Sequence, residues 1–148
     1  MASLSTLLRP EAVLTLETDD PNSALEQLCE AAAKLVNGPD AAALLAAVHA
    51  REELSSTGFG DGLAMPHVRL EGVRRLSVVV GRTPRGVPFN AIDDAPVRLF
   101  CLVVGTEREI APYQKVMGRA ARFLKEEGAK LLESSDLVAD VLSASERY

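Results

Sequence analysis

Apolar residues recur along this chain with two different periods, and the change of period separates helices from strands. Residues 12–16 (AVLTL) are short, apolar and rich in β-formers, and predict a strand. Asp20-Pro21 then offers an N-cap followed by proline at the first helical position. Leu25, Leu28, Ala32 and Leu35 follow at three- and four-residue spacing, which predicts an amphipathic helix over 21–36. Asn37-Gly38-Pro39 stops that helix, and Asp40 can cap a second one running through about residue 53.

Beyond it the period changes. The stretch 54–66 holds too much glycine for a long helix and reads as a loop with a brief strand near Leu63 to Met65. Residues 75–82 (RLSVVVGR) predict a strand whose three consecutive valines indicate burial on both faces. Pro84, Gly86 and Pro88 mark a turn, and residues 97–104 (VRLFCLVV) predict a second strand, expected at the centre of the sheet. From Pro112 to Leu124 the spacing of Val116, Met117, Ala120, Ala121 and Leu124 is helical. Gly128 is expected to divide this helix from a last one ending near Leu142. With no repeat or linker in between, residues 1–148 read as a single α/β domain, a mixed β-sheet flanked by helices.

Composition narrows the function. A content of 47% hydrophobic and 25% charged residues is that of a folded domain with a proper core. The net charge of −5, with no tract rich in Lys and Arg alone, excludes nucleic acid as an expected partner. Arg69, Arg74 and Arg75 come nearest to a basic cluster, but Glu71 interrupts them and they read as solvated surface. No apolar run approaches the roughly 20 residues that span a bilayer, so no direct membrane insertion is expected. The N-terminus carries no basic leader of a signal peptide. Cys29 and Cys101 each sit in an apolar periodic segment, as buried thiols of a reducing compartment do. The expectation is a cytoplasmic protein without metal or cofactor.

The candidate chemistry lies in SSTGFGDGLAMPHVR, residues 55–69. A P-loop needs lysine and Ser or Thr after its last glycine, where this chain has Leu63-Ala64. A dinucleotide fingerprint needs glycines that follow a strand and open a helix, whereas these follow a helix and precede a proline. Two readings remain. The loop can simply reverse the chain, with His67 a satisfied polar residue at a strand end. Alternatively it forms a site with the residues just before it. Leu44, Leu45 and Val48 mark the inward face of the second helix, and Glu52 and Arg51 fall on that side. Either these two pair with each other, or Arg51 reaches over the helix end to an anion in the loop. The second reading brings together an imidazole, the backbone N–H groups of Gly58 and Gly60, hydroxyls at Ser56 and Thr57, and a guanidinium. Glycine-rich turns can aim successive N–H groups at one anion, and arginine adds charge-assisted bonds to phosphate oxygens. Neutral imidazole is a nucleophile, so the set suits transfer of a phosphoryl group, which asks chiefly for positioning and charge stabilisation.

The run REELSSTGFGDGLAMPH resembles the phosphorylation-site signature of the enzyme IIA proteins of the bacterial phosphoenolpyruvate-dependent sugar phosphotransferase system (PTS). The likeness is to the fructose/mannitol class, which includes the nitrogen-regulatory branch. It continues through LSTLLRPEAVLTLE, VPFNAIDDAPVRLFCLVV and YQKVMGRAARFLKEEGAKLLESS. The resemblance implies a mixed sheet flanked by helices, and phosphorylation of His67 by the histidine-containing phosphocarrier protein. It implies transfer onward to a IIB component, with Arg51 steadying the phosphoryl group and Thr57 as the small hydroxyl residue of the loop. A stand-alone regulator, whose phosphorylation state controls binding to other proteins, is the alternative. A binding module that has lost phosphotransfer is a third reading, which intact Arg51 and His67 oppose.

This chain departs from the pattern twice. Tyr113 stands where the resemblance implies a second histidine, and a tyrosine can donate a hydrogen bond but brings no positive charge near neutral pH. Lys115 and Arg108 are the sequence's candidates to replace that charge. Val68 follows His67 where a small residue is the rule. Phe59, Leu63, Met65 and Val68 can form either an apolar docking rim or ordinary core, and His49 reads as a structural or surface residue.

Overall fold

The computed structural model describes residues 3–148. Met1 and Ala2, which the single-domain and leader readings include, lie outside the described residues. After two 3-10 turns, Leu4–Thr6 and Pro10–Ala12, the order is β1 (Val13–Thr15), α1 (Pro21–Val36), α2 (Ala41–Leu54), β2 (Gly58–Gly60), β3 (Leu63–Ala64), β4 (His67–Leu70), β5 (Ser77–Val87), β6 (Val97–Thr106), α3 (Ile110–Leu132) and α4 (Leu137–Ser145). The predicted first two helices form within a residue of their expected ends. Asp20 accepts from the Ser23 N–H at 2.9 Å and Asp40 from the Ala43 N–H at 2.9 Å, caps worth about 1 kcal/mol each. Asn37 ends α1 in the left-handed region at φ 52°.

All six strands form one mixed sheet, ordered β1-β5-β6-β3-β2, with β4 also on β6. The strand β6 is central as expected: it runs antiparallel to β5 and parallel to β3 and β4. Successive residues of β6 point to opposite layers. Leu99, Cys101 and Val103 join Val116, Phe123 and Leu124 of α3, while Phe100, Leu102 and Val104 join Leu28, Leu44 and Val48 of α1 and α2. Burial on both faces accounts for the unbroken apolar run. The pairs Leu63↔Leu99, Ala64↔Phe100 and His67↔Val103 keep one register, so β3 and β4 are a single line of chain interrupted at Met65-Pro66. Even there the Pro66 carbonyl accepts from the Val103 N–H at 3.0 Å.

Three expectations are corrected. The brief strand expected near Leu63 is present as β3, but the rest of 54–66 is more than loop: β2 and β3 form a hairpin closed by Asp61-Gly62, both at positive φ (59° and 77°) as a type I′ turn requires. No turn forms at Pro84 to Pro88, because β5 continues to Val87. The β1 pairing stops at Arg82, so the N–H that Pro84 lacks has no strand to meet on that side. A register shift between Arg82 and Val87 absorbs the irregularity, with the Gly86 N–H donating to Thr83 Oγ1 at 3.0 Å. Nor does Gly128 break α3. It lies buried where a Cβ would meet Leu63 Cδ2 at 2.8 Å, so its missing side chain lets the helix settle on β3.

The two glycines inside α3 therefore predict opposite responses. Gly118 has nothing within 4 Å of a built Cβ, and Gly118→Ala is expected to stabilise by about 0.5–1 kcal/mol. Gly128→Val is expected to cost about 1–3 kcal/mol through overpacking against Leu63. Urea midpoints at unchanged slope measure both, and a neutral Gly128→Val would show that the helix-to-strand contact is slack.

Candidate functional site

Alternation along β4 decides the site. Val68 and Leu70 pack toward the α1–α2 core, so His67 and Arg69 point to the other face. The His67 Nδ1 lies 2.8 Å from the carbonyl oxygen of Met65. A carbonyl only accepts, so Nδ1 carries the hydrogen of the neutral ring and Nε2 holds the lone pair. The hydrogen bond spans Pro66, whose fixed φ holds donor and acceptor in place. His67 lines an open cleft of about 470 Å³ together with Arg51, Val68, Arg69, Glu107 and Tyr113.

Arg51 arrives from the last turn of α2, which packs on β4. Its Nη1 donates to the Ser55 carbonyl at 3.0 Å, closing the helix end and holding the guanidinium at the cleft. Arg51 and Glu52 do not pair with each other. Glu52 instead takes Thr57, accepting from its backbone N–H at 3.0 Å and from its hydroxyl.

The structure places Ser56, Thr57, Gly58 and Gly60 outside the residues that line the cleft. The polar groups of Ser56, Thr57 and Gly58 hold the hairpin in place. Ser56 donates to the Phe89 carbonyl at 2.6 Å and accepts from the Gly58 N–H at 3.1 Å, and the Thr57 carbonyl accepts from Met65 N–H at 3.1 Å. Gly58 is needed for close approach, since a Cβ there would meet the Ala91 Cβ at 2.9 Å. Asp93 secures the turn by accepting from the Asp61 and Ala95 N–H groups, both at 3.0 Å, and these bonds hold its carboxyl below the usual carboxylate range.

Tyr113 does stand in the cleft, on the first turns of α3 and only 9% exposed. Its ring lies against Gly105, the β6 partner of Arg69, at a place where any side chain would collide with it. The Arg69 guanidinium sits 5.8 Å from the ring centroid, and its Nη1 donates to the Glu107 carbonyl at 3.3 Å. Burial raises the Tyr113 phenol above its ordinary range, against the opposing charges of Arg69 and Arg51. Lys115 is exposed and outside the cleft, and Arg108 lines a neighbouring pocket with Glu71, Arg74 and Glu109. Arg69 is exposed, as the reading of it as solvated surface expects, and it also lines the cleft, a place that its i+2 spacing from His67 on a strand signals.

Of the proposed apolar rim, Val68 lines the cleft, Leu63 is buried, and Phe59 and Met65 pack half-buried against the core. More exposed apolar surface comes from Leu54 at the end of α2 (82%) and Ile110 at the start of α3 (49%). His49 is half-buried on α2, outside the cleft. Cys29 and Cys101 are buried free thiols, each pushed up to about 12, Cys101 by burial alone and Cys29 by burial and the charge of Glu30. Among the described residues no helix is long and apolar enough to cross a membrane, and no group of His, Cys, Asp and Glu is placed to hold a metal ion.

The family model described as "Phosphoenolpyruvate-dependent sugar phosphotransferase system, EIIA 2" matches residues 6–144. The chain belongs to this EIIA family. It is 32% identical over 134 residues to a nitrogen regulatory protein of Bradyrhizobium diazoefficiens, covering 89% of this chain and 87% of that one. Its fold matches the crystal structure of nitrogen regulatory protein IIA-Ntr from Neisseria meningitidis with a TM-score of 0.87 at 23% identity, over 95% of this EIIA chain and 97% of the other. It also matches the mannitol enzyme IIA of Escherichia coli, solved in complex with phosphorylated enzyme IIB of the same system, with a TM-score of 0.69 at 22% identity over 92% and 96% of the two chains.

The two tyrosines offer a test of how the site is packed. Tyr148 is pushed up to about 12 by burial and by hydrogen bonds to Glu127 and Glu126. With Tyr113 raised as well, both phenols favour the fold while neutral. Their contribution is present below pH about 10 and lost as pH rises through the folded values. Ultraviolet titration of the native EIIA chain should show no phenolate step at pH 10, with ionisation at higher pH accompanying unfolding. A phenolate step near 10 that disappears in Tyr113→Phe would mean that Tyr113 is open to solvent.

At the loop, Glu52→Ala is expected to cost about 1–3 kcal/mol, because the buried Thr57 N–H then lacks its partner. Faster amide exchange at Thr57 is the matching signal. An unchanged urea midpoint would show that Glu52 does not hold the hairpin.

Proposed function

We propose that this EIIA protein is a phosphocarrier that accepts a phosphoryl group on Nε2 of His67. The observation that carries the reading is the Nδ1–H to Met65 hydrogen bond, which leaves the Nε2 lone pair on a ring lining a cleft with two arginines. Neither Arg51 nor Arg69 forms an ion pair with a carboxylate among the described residues, so both cations can be given to an incoming anion. The donor is the phosphorylated histidine-containing phosphocarrier protein. The Nε2 pair attacks phosphorus and forms the new P–N bond. The donor's P–N bond breaks and its electron pair returns to the donor imidazole. The phosphorylated His67 ring carries the positive charge, and its Nδ1–H bond to the Met65 carbonyl stabilises that charge. Arg51 meets the equatorial phosphoryl oxygens, whose charge is spread in a loose transition state.

Onward transfer to a IIB component is supported by the solved complex of the mannitol enzyme IIA with phosphorylated IIB. The regulatory reading is supported by the Bradyrhizobium relative and the Neisseria structure, both nitrogen regulatory proteins. In that role the same chemistry on His67 sets which proteins are bound, and exposed Leu54 and Ile110, each three residues along the chain from a residue that lines the cleft, supply apolar docking surface.

The test is incubation with phosphoenolpyruvate, enzyme I and the histidine phosphocarrier, read by intact mass and phosphorus NMR. One acid-labile phosphoryl group on Nε2 is expected, with none on His67→Ala. Arg51→Ala should slow labelling by about 10²–10³-fold. Persistent labelling of His67→Ala, or a phosphoryl group on Nδ1, would contradict the assignment. Supplying a IIB protein then separates the two destinations: rapid loss of the label to IIB supports transport, and retention supports regulation.

A further inference from the structure

We infer that Arg69 is a second phosphoryl-binding residue of this EIIA chain, pre-oriented by the ring of Tyr113. The inference rests on the phosphocarrier reading of His67. The resemblance calls for a second histidine at position 113, so replacement by tyrosine removes a cation from the cleft unless another element supplies one. The sequence candidates, Lys115 and Arg108, do not line the cleft. Arg69 does, from β4 itself, two residues beyond the nucleophile and on the same face of the strand.

Three contacts fix where its guanidinium lies. Pairing with β6 sets Arg69 opposite Gly105. The bare glycine backbone admits the Tyr113 ring, and the guanidinium lies over that ring at 5.8 Å. The Glu107 carbonyl takes one Nη1 hydrogen at 3.3 Å. One bond leaves most of the five N–H donors unused, in a planar fork suited to phosphoryl oxygens. A cation held by a ring and a carbonyl loses little side-chain freedom when the anion arrives. Tyr113 is then a positioning residue rather than a donor in place of the histidine. Arg69 and Arg51 approach the phosphoryl group from different elements, β4 and α2. Glu107 is the acidic residue of the same cleft, and it gives Arg69 its backbone carbonyl.

The test measures two quantities on full-length protein: the initial rate of phosphoryl acceptance, and the lifetime of the phosphorylated form against hydrolysis. In hydrolysis water attacks phosphorus, the P–Nε2 bond breaks with its electron pair returning to Nε2, and phosphate leaves. Arg69→Gln is expected to lower acceptance by about 10–100-fold, the worth of one charge-assisted contact, while its thermal melt stays that of wild type. Arg69→Lys should fall between, since it keeps the charge and loses the fork. Tyr113→Leu should slow acceptance in the wild-type background and add little in Arg69→Gln, the non-additivity that a positioning role demands. A measurement without mutation stands beside these: the Arg69 Nε–H resonance should shift on phosphorylation. Failure of wild type to be labelled on His67 would remove the phosphocarrier reading. Wild-type labelling with an Arg69→Gln rate equal to wild type, or an unmoved Arg69 resonance, would leave that reading and overturn this one.

Discussion

One strand register governs the chemistry of this molecule. Residues 63–70 lie parallel to β6 in a single alignment, although Met65-Pro66 interrupts the strand. That alignment fixes which face His67 occupies, which glycine stands opposite Arg69, and which carbonyl the imidazole meets. A slip of one residue would turn His67 and Arg69 toward the α1–α2 core, where Val68 and Leu70 now pack. Alternation along β4 opposes a one-residue slip, because it would bury His67 and Arg69 against the apolar α1–α2 layer. Core packing and site geometry are thus the same constraint seen from two ends.

The glycine-rich segment acquires its meaning from that register. Its glycines answer to geometry rather than to a bound anion: one admits the Ala91 side chain, and another takes the positive φ of a two-residue turn. The hydroxyls of Ser56 and Thr57 tie the segment to Phe89 and to the end of α2. The hairpin therefore acts as a rigid buttress that connects the helix carrying Arg51 with the strand carrying His67. A permissive backbone before the histidine of the cleft serves to fit a short β-structure into a narrow space.

Much of this was legible beforehand, and the failures share a cause. Helices α1 and α2 were plain because aspartate caps and three-four spacing are local signals. The central strands were plain because burial on both faces leaves an unmixed apolar run. Gly128 and Pro84 misled because a local propensity was read without the neighbour that overrides it, Leu63 in one case and an ended strand pairing in the other. Asp61-Gly62 was a missed local signal, since that dipeptide is a strong mark of a tight hairpin. In the candidate site, His67, Arg51 and Tyr113 are legible in the chain and meet at the cleft, while Arg69, exposed as the charge pattern indicates, is placed there by the strand's alternation. The tautomer of His67 was out of reach from sequence, because it depends on a carbonyl two residues away in space and direction.

Among the described residues, the strand that carries His67 has only β6 as a strand neighbour. Its far side presents N–H and C=O groups with no strand beyond them, the kind of border on which another extended chain can add itself and begin a fibre. The sequence blunts that hazard in the same few residues that make the site. The strand is four residues long, a proline stands immediately before it, and an arginine projects from its middle. Placing the His67 ring on the sheet's border leaves it open to a surface as large as a protein's, and the shortness of the border keeps another copy of the chain in extended form from using the same opening.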